Sequence, residues 1–216
     1  LLERLVASLR KYLPVSSVVL IQEVAAFAAT ATPSAAVLRD MLTVGAILAD
    51  MHIVDATGIT AGMLHHAAID PATHTVDPVL GELIAAEFGV DALALIASIA
   101  HFSALESQRK SRQVQGGPRK RAASEQARHQ QLEKIRKMFV GMGDDPRVVI
   151  FMLADHLMRV RAAGALAADE ALLLAEESRD IYAPLAARLG MARVEAELED
   201  RAFAQLDPDE YRRVSN

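Results

Sequence analysis

The sequence predicts an all-α protein, and three observations carry that expectation. Apolar residues recur at helical spacing along almost the whole chain, while the alternation expected of a half-buried strand is nearly absent. Hydrophobic residues make up 52% of the chain, yet aromatics are only 4% and tryptophan is missing. The bulk comes from alanine and leucine, which suit closely packed helices better than sheets built on β-branched and aromatic side chains. Prolines and glycines punctuate the periodic segments where helices should stop or restart.

About ten helices follow in order. Segments near 1–12 and 15–30 are separated by Pro14, and the next, near 34–51, follows Pro33. A helix near 57–69 stops before Pro71, and Pro78 opens one near 78–88 that ends at Gly89. A segment near 90–105 leads into Gln108–Ser124, where Arg109, Lys110, Arg112, Arg119, Lys120 and Arg121 flank Gly116-Gly117-Pro118 without an acidic residue among them. That stretch, 108–124, reads as a mobile basic loop, in the first place a solvated linker, with binding of nucleotide phosphates as the alternative. Helices near 122–142 and 145–162 lie either side of Gly143 and Pro146. The pattern near 168–189 contains Pro184, which should kink or divide it, and Gly190 separates it from a last helix near 191–205. No internal repeat is visible.

A chain of 216 residues is long enough for one well-buried domain, 1–216. A net charge of -5 gives no general basis for nucleic-acid binding. The absence of cysteine excludes disulfides and thiolate zinc sites and fits a reducing cytoplasm, the expected location. No apolar run reaches the roughly 18 residues of a membrane helix, and no signal peptide precedes the first segment, so no membrane association is expected. The chain starts on Leu1 and stops at Ser215-Asn216 directly after a helical segment, and is read as part of a longer protein.

The chemistry concentrates in Met63-Leu64-His65-His66-Ala67-Ala68-Ile69-Asp70 and in Leu153-Ala154-Asp155, which place metal-type ligands inside apolar helical segments. His65 and His66 are adjacent, so on a helix they point about 100° apart and need not face one cavity. Each, taken alone, reads more simply as a histidine at the edge of the core, hydrogen-bonded to backbone. Asp155 sits between Val148-Val149-Ile150-Phe151-Met152-Leu153-Ala154 and His156-Leu157-Met158. A carboxylate inside such a helix must be paired, metal-bound or strongly shifted in pKa.

The chain resembles a known family closely over nearly its whole length, most strongly in its C-terminal part. Ile181-Tyr182-Ala183-Pro184-Leu185-Ala186-Ala187-Arg188-Leu189-Gly190, Glu197-Leu198-Glu199-Asp200-Arg201-Ala202-Phe203 and Pro208-Asp209-Glu210-Tyr211-Arg212-Arg213 are similar to the IYAPLAxRLG, ELEDxAF and HPxEYxRI runs of the RelA/SpoT homologues, with Asp207 in place of the histidine. Arg136-Lys137-Met138-Phe139-Val140 and Asp145-Pro146-Arg147-Val148 resemble the same family. These proteins make and degrade the guanosine alarmone (p)ppGpp, and the resemblance is to their N-terminal hydrolase domain, which implies an HD-type helical bundle.

The resemblance also implies a site. The family's hydrolase holds one divalent metal, usually manganese, through a histidine in an HPLAVA helix, a His-Asp doublet and a later aspartate, while a Glu-Asp pair assists the attacking water. Here His65 matches the doublet histidine, Asp155 the last aspartate and Asp70 the catalytic aspartate. His66 stands where the doublet aspartate belongs, Asp40 where the first histidine belongs and Ile69 where the glutamate belongs. Asp40, His65, His66 and Asp155 would form an exchanged shell of two histidines and two carboxylates, suited to Mn²⁺, Fe²⁺ or Zn²⁺. Ala31-Thr32-Pro33-Ser34-Ala35-Ala36-Val37-Leu38 replaces the family's basic loop, and Arg159, a bulkier cation that could bind phosphate or fill the pocket, replaces an asparagine. Together these exchanges favour a decayed hydrolase with no tightly bound cofactor, Mn²⁺ being the ion if the site works. The expected role is control of an adjacent synthetase domain, with a guanine nucleotide as possible ligand. The rival is an active (p)ppGpp 3′-pyrophosphohydrolase.

Overall fold

The computed structural model describes residues 1–32, 34–52, 54–114 and 145–214. Every regular element among them is helical, apart from an isolated antiparallel bridge between Ile69 and Val76. The described residues divide into two compact units, 1–114 with 145–151, and 152–214.

The first unit contains α1 (Leu2–Leu9), α2 (Val15–Ala31), α3 (Ala35–Met51), α4 (Ala56–Ala68), α5 (Pro78–Phe88), α6 (Val90–Val114) and the first turns of α7 (Pro146–Arg161). At its centre is α4, which packs against α2, α3 and α6. It is apolar nearly all round, and a helix of that kind has to be surrounded. Asp55 caps it by accepting the Gly58 N–H at 2.7 Å, and Arg147 of α7 pairs with Asp55 at 3.1 Å.

Two glycines let α3 and α4 approach closely. A Cβ on Gly45 of α3 would lie 2.7 Å from Met63 Cγ, and one on Gly62 of α4 would lie 2.3 Å from Leu48 Cδ1. Met63 and Leu48 are both buried, so each fills the notch left by the other helix's glycine.

Along α6, the helix continues through Val114, seven residues into the stretch expected to be a loop. Residues 108–114 contain no glycine or proline, and arginine, lysine and glutamine favour helix, so the pattern had no breaker before Gly116. The rest of that stretch, and the helix expected near 122–142, lie outside the described residues. Val90–Ser107 is also long and apolar enough to cross a membrane by length and composition, contrary to the expectation that no run reaches that length. Its stripe of Ala92, Leu95, Ile96, Ile99, Ala100 and Phe102 is instead buried in the core of this unit.

The second unit comprises the remainder of α7, a short 3₁₀ turn (Ala163–Ala165), α8 (Ala168–Glu177), a π-helical segment (Ser178–Tyr182), α9 (Ala183–Arg188), α10 (Ala192–Leu206) and α11 (Pro208–Val214). Pro184 divides the segment near 168–189 as expected. It has no N–H, and its ring is incompatible with an ordinary turn around the residue four before it, so the preceding turn widens and Ala183 N–H bonds to Ser178 O, five residues back. Gly190, with φ at +71°, ends α9 in the left-handed region. The terminal helix α11 was not among the ten expected.

Candidate functional site

His65 and His66 stand in the last turn of α4, just before the chain leaves the helix at Ile69. Their rings lie against each other, centroids 3.7 Å apart, so the two do share one locality despite their different helical directions. His65 is buried and His66 half-buried. The edge of Phe151, in the first unit's part of α7, packs on His65 at 4.4 Å.

The His65 tautomer follows from its hydrogen bond. Nδ1 lies 2.8 Å from the Gly62 carbonyl oxygen. A carbonyl only accepts, so Nδ1 carries the proton and Nε2 carries the lone pair. A ring fixed in this way through one nitrogen is what a metal-ligating histidine requires of its other nitrogen. Imidazole donors suit Mn²⁺, Fe²⁺ or Zn²⁺. The donor chemistry at His65 therefore fits a divalent ion.

Asp40 does not complete that fit. It lies half-buried on α3, and among the described residues it does not join His65 and His66 within the 4.8 Å that would let three donor atoms share an ion. The structure thus does not group Asp40 with the two histidines at that distance. A position on α3 can be aligned by sequence and still aim elsewhere, since 100° per residue turns a small register difference into a different face.

Asp70 is exposed in the turn that follows α4. Its Oδ1 accepts the backbone N–H groups of Thr73 at 3.0 Å and Ala72 at 2.7 Å. These bonds, Thr73's first, hold the carboxyl below the usual aspartate range and keep it ionised. Ile69 is the C-cap residue of α4 and bridges to Val76, so an apolar side chain occupies the position beside Asp70.

In the second unit, Asp155 is half-buried on α7 and Arg159, four residues on, is exposed in its last turn. His156 is buried there. Its ring stacks on Tyr182 at 3.6 Å, and its Nε2 lies 2.8 Å from Ser178 Oγ, whose own hydrogen goes to the Leu174 carbonyl. Ser178 therefore accepts, and His156 Nε2 is the protonated nitrogen. The sequence reading passed over this group. The only signal was His156 itself, inside an apolar run, because the partners are more than twenty residues away. It also passed over the packing glycines Gly45 and Gly62, which stand inside apolar helical segments.

Comparison with known proteins agrees with the architecture. The HD domain family matches residues 17–192. A GTP pyrophosphokinase rsh of Brucella suis is 33% identical over 175 residues, covering 81% of this chain and 20% of the relative. A guanosine-3′,5′-bis(diphosphate) 3′-pyrophosphohydrolase of Haemophilus influenzae is 29% identical over 170 residues, 79% of this chain and 22% of the relative. A probable enzyme of the same description from Synechocystis is 44% identical over 86 residues, 40% of this chain and 11% of the relative. The chain thus spans about a fifth of the length of the first relatives it matches. It belongs to the HD domain family, with homology to RelA/SpoT-type proteins over most of its length.

Proposed function

We propose that this chain is the hydrolase-type domain of a longer RelA/SpoT-like protein, that it no longer hydrolyses (p)ppGpp, and that it biases an adjacent synthetase domain between less and more active states. The observation that carries this reading is the state of the Glu-Asp pair. Ile69 has no proton to exchange, and Asp70 spends one carboxylate oxygen on two backbone N–H groups in an exposed turn. A base that must orient water works poorly from there, and such a group contributes about 10²-fold or more. The names of the relatives, which include both a pyrophosphokinase and a pyrophosphohydrolase, supply the substrate class.

The residues that the resemblance assigns to an ion are His65 and Asp155, with His66 beside His65 in the doublet. A divalent ion held by them would supply Lewis-acid activation of water and phosphate. His65 is oriented for it through Gly62, but the loss of Asp40 and the exchange at His66 leave the set short of carboxylate, so binding is weak. Arg159, exposed on α7, is the cation assigned to nucleotide phosphate.

The second reading, an active 3′-pyrophosphohydrolase with an exchanged ligand set, is favoured by one observation, the His65 tautomer. Release of pyrophosphate from (p)ppGpp with Mn²⁺ separates the two. No release above background is expected. Metal-dependent release, abolished by Asp155→Ala, would establish the enzyme instead. For the regulatory role, (p)ppGpp synthesis by the longer protein is compared with and without residues 1–216, and an unchanged rate removes that part of the proposal.

A further inference from the structure

We infer that α5 presents a docking stripe for an amphipathic helix of another protein, one that carries lysine or arginine on both sides of its apolar face. The stripe lies wholly within the first unit, and the inference is independent of whether the domain hydrolyses (p)ppGpp.

A surface helix normally turns one apolar face to the core and a polar face to water. Helix α5 buries Gly81 and Ile84 and packs against α6 and α4, yet its outward face is apolar too. Val79 is 70% exposed, Leu83 is 48% exposed, and Ala86 is exposed beside them. Positions 79, 83 and 86 have the four-three spacing of a coiled-coil seam, which keeps them on one narrow stripe of the helix. That apolar surface stands in water, and a facing helix would remove it.

Charge selects the occupant. At 100° per residue, Glu82 falls about 60° to one side of Val79 and Glu87 about 80° to the other, so an acid flanks each edge of the stripe. Both are exposed, and among the described residues neither pairs with a cation. No lysine or arginine stands between Arg39 and Arg109 to offset them locally. In the seam these glutamates occupy the g and e positions, which set the choice of partner. A second copy of α5 would place glutamate against glutamate in either orientation, and an anionic lipid surface would be repelled in the same way. A helix with basic residues at its own e and g positions meets both acids and covers the apolar stripe between them.

A helix-stabilised synthetic peptide with leucine at a and d and lysine at e and g, titrated into the full 216-residue chain by calorimetry, tests this. For so short an interface a dissociation constant on the order of 100 μM is expected. The same peptide with glutamate in place of lysine should bind at least tenfold more weakly. Leu83→Lys, at an exposed position, should weaken the lysine peptide by at least tenfold. Glu82→Lys combined with Glu87→Lys should reverse the preference between the two peptides, which a merely sticky surface would not do. Absence of binding, equal binding of both peptides, or an unchanged preference in the doubly reversed variant overturns the assignment. Self-association in sedimentation that Leu83→Lys disperses would give the stripe to a second copy, and binding to phosphatidylcholine vesicles lost in the same variant would give it to a membrane. Either result overturns the helical partner.

Discussion

His65 Nδ1–H donates to the carbonyl oxygen of Gly62, 2.8 Å away and one helical turn earlier. That bond fixes which nitrogen of the ring can bind a metal, and it uses a carbonyl already committed to the helix. On the proposed reading of a decayed site, the ligand that matches the family's doublet histidine thus keeps its orientation. Orientation of one ligand is a small part of affinity, because an ion needs several donors at the right reach simultaneously.

Weak metal binding follows. Elemental analysis of the purified domain after dialysis should show well below one Mn²⁺ per chain. Near-stoichiometric metal that disappears in His65→Ala would show that the exchanged ligands suffice.

Catalysis should not return with one residue. On the proposed reading, His66, Ile69 and the stretch before Asp40 all depart from the family's pattern, and groups that act as a unit lose most of the rate with the first change. His66→Asp alone is expected to stay at background in a (p)ppGpp hydrolysis assay with Mn²⁺. Activity in that single variant would mean that only the doublet had been lost.

Gly62→Ala should destabilise the domain. The new methyl would meet Leu48 Cδ1 at 2.3 Å and Phe151 at 3.4 Å in a buried setting. Overpacking costs roughly 2 kcal/mol and the better helix propensity of alanine returns about 1, leaving a net loss of about 1 kcal/mol. Urea unfolding that shows unchanged or greater stability would mean that Leu48 moves aside freely.

Asp55→Ala removes both the cap on Gly58 N–H and the partner of Arg147. The cap is worth about 1 kcal/mol and the partly exposed ion pair only a few tenths more. The expected loss in denaturant midpoint should be largely insensitive to salt, because the cap bond dominates. A loss that vanishes at high salt would assign the effect to the ion pair.

Acid should weaken the second unit through Glu197. Its carboxyl is lowered from 4.5 to about 2, chiefly by the Arg161 bonds. A depressed folded value means that the stabilisation is fully present above the unfolded value and is lost as pH falls from about 4.5 toward 2. The group is partly exposed, so solvent screening reduces the effect to about 1 kcal/mol. Thermal unfolding against pH should flatten over that window in Glu197→Gln, and an identical slope in both proteins would remove Glu197 as the cause.

The helical architecture was determined by the sequence itself. Spacing of apolar residues, the alanine and leucine composition, and Pro14, Pro78, Gly89, Pro184 and Gly190 act within a few residues of where they stand, so they can be read one segment at a time. The same local character explains the misread end of α6. Basic residues 109–112 suggested a loop, but charge alone does not end a helix, and α6 runs on to Val114.

What the sequence could not decide depends on atoms far apart in the chain. Whether His65 and His66 face one locality, that Asp40 stays apart from them, that Asp70 is held in a turn, and that Arg161 and Arg201 share Glu197 are matters of direction and distance. Periodicity places a side chain on a face of a helix, to within the 100° step from one residue to the next. Ligand and hydrogen-bond geometry is decided within a few tenths of an ångström, and packing sets it through contacts such as Gly62 against Leu48 and Phe151 against His65.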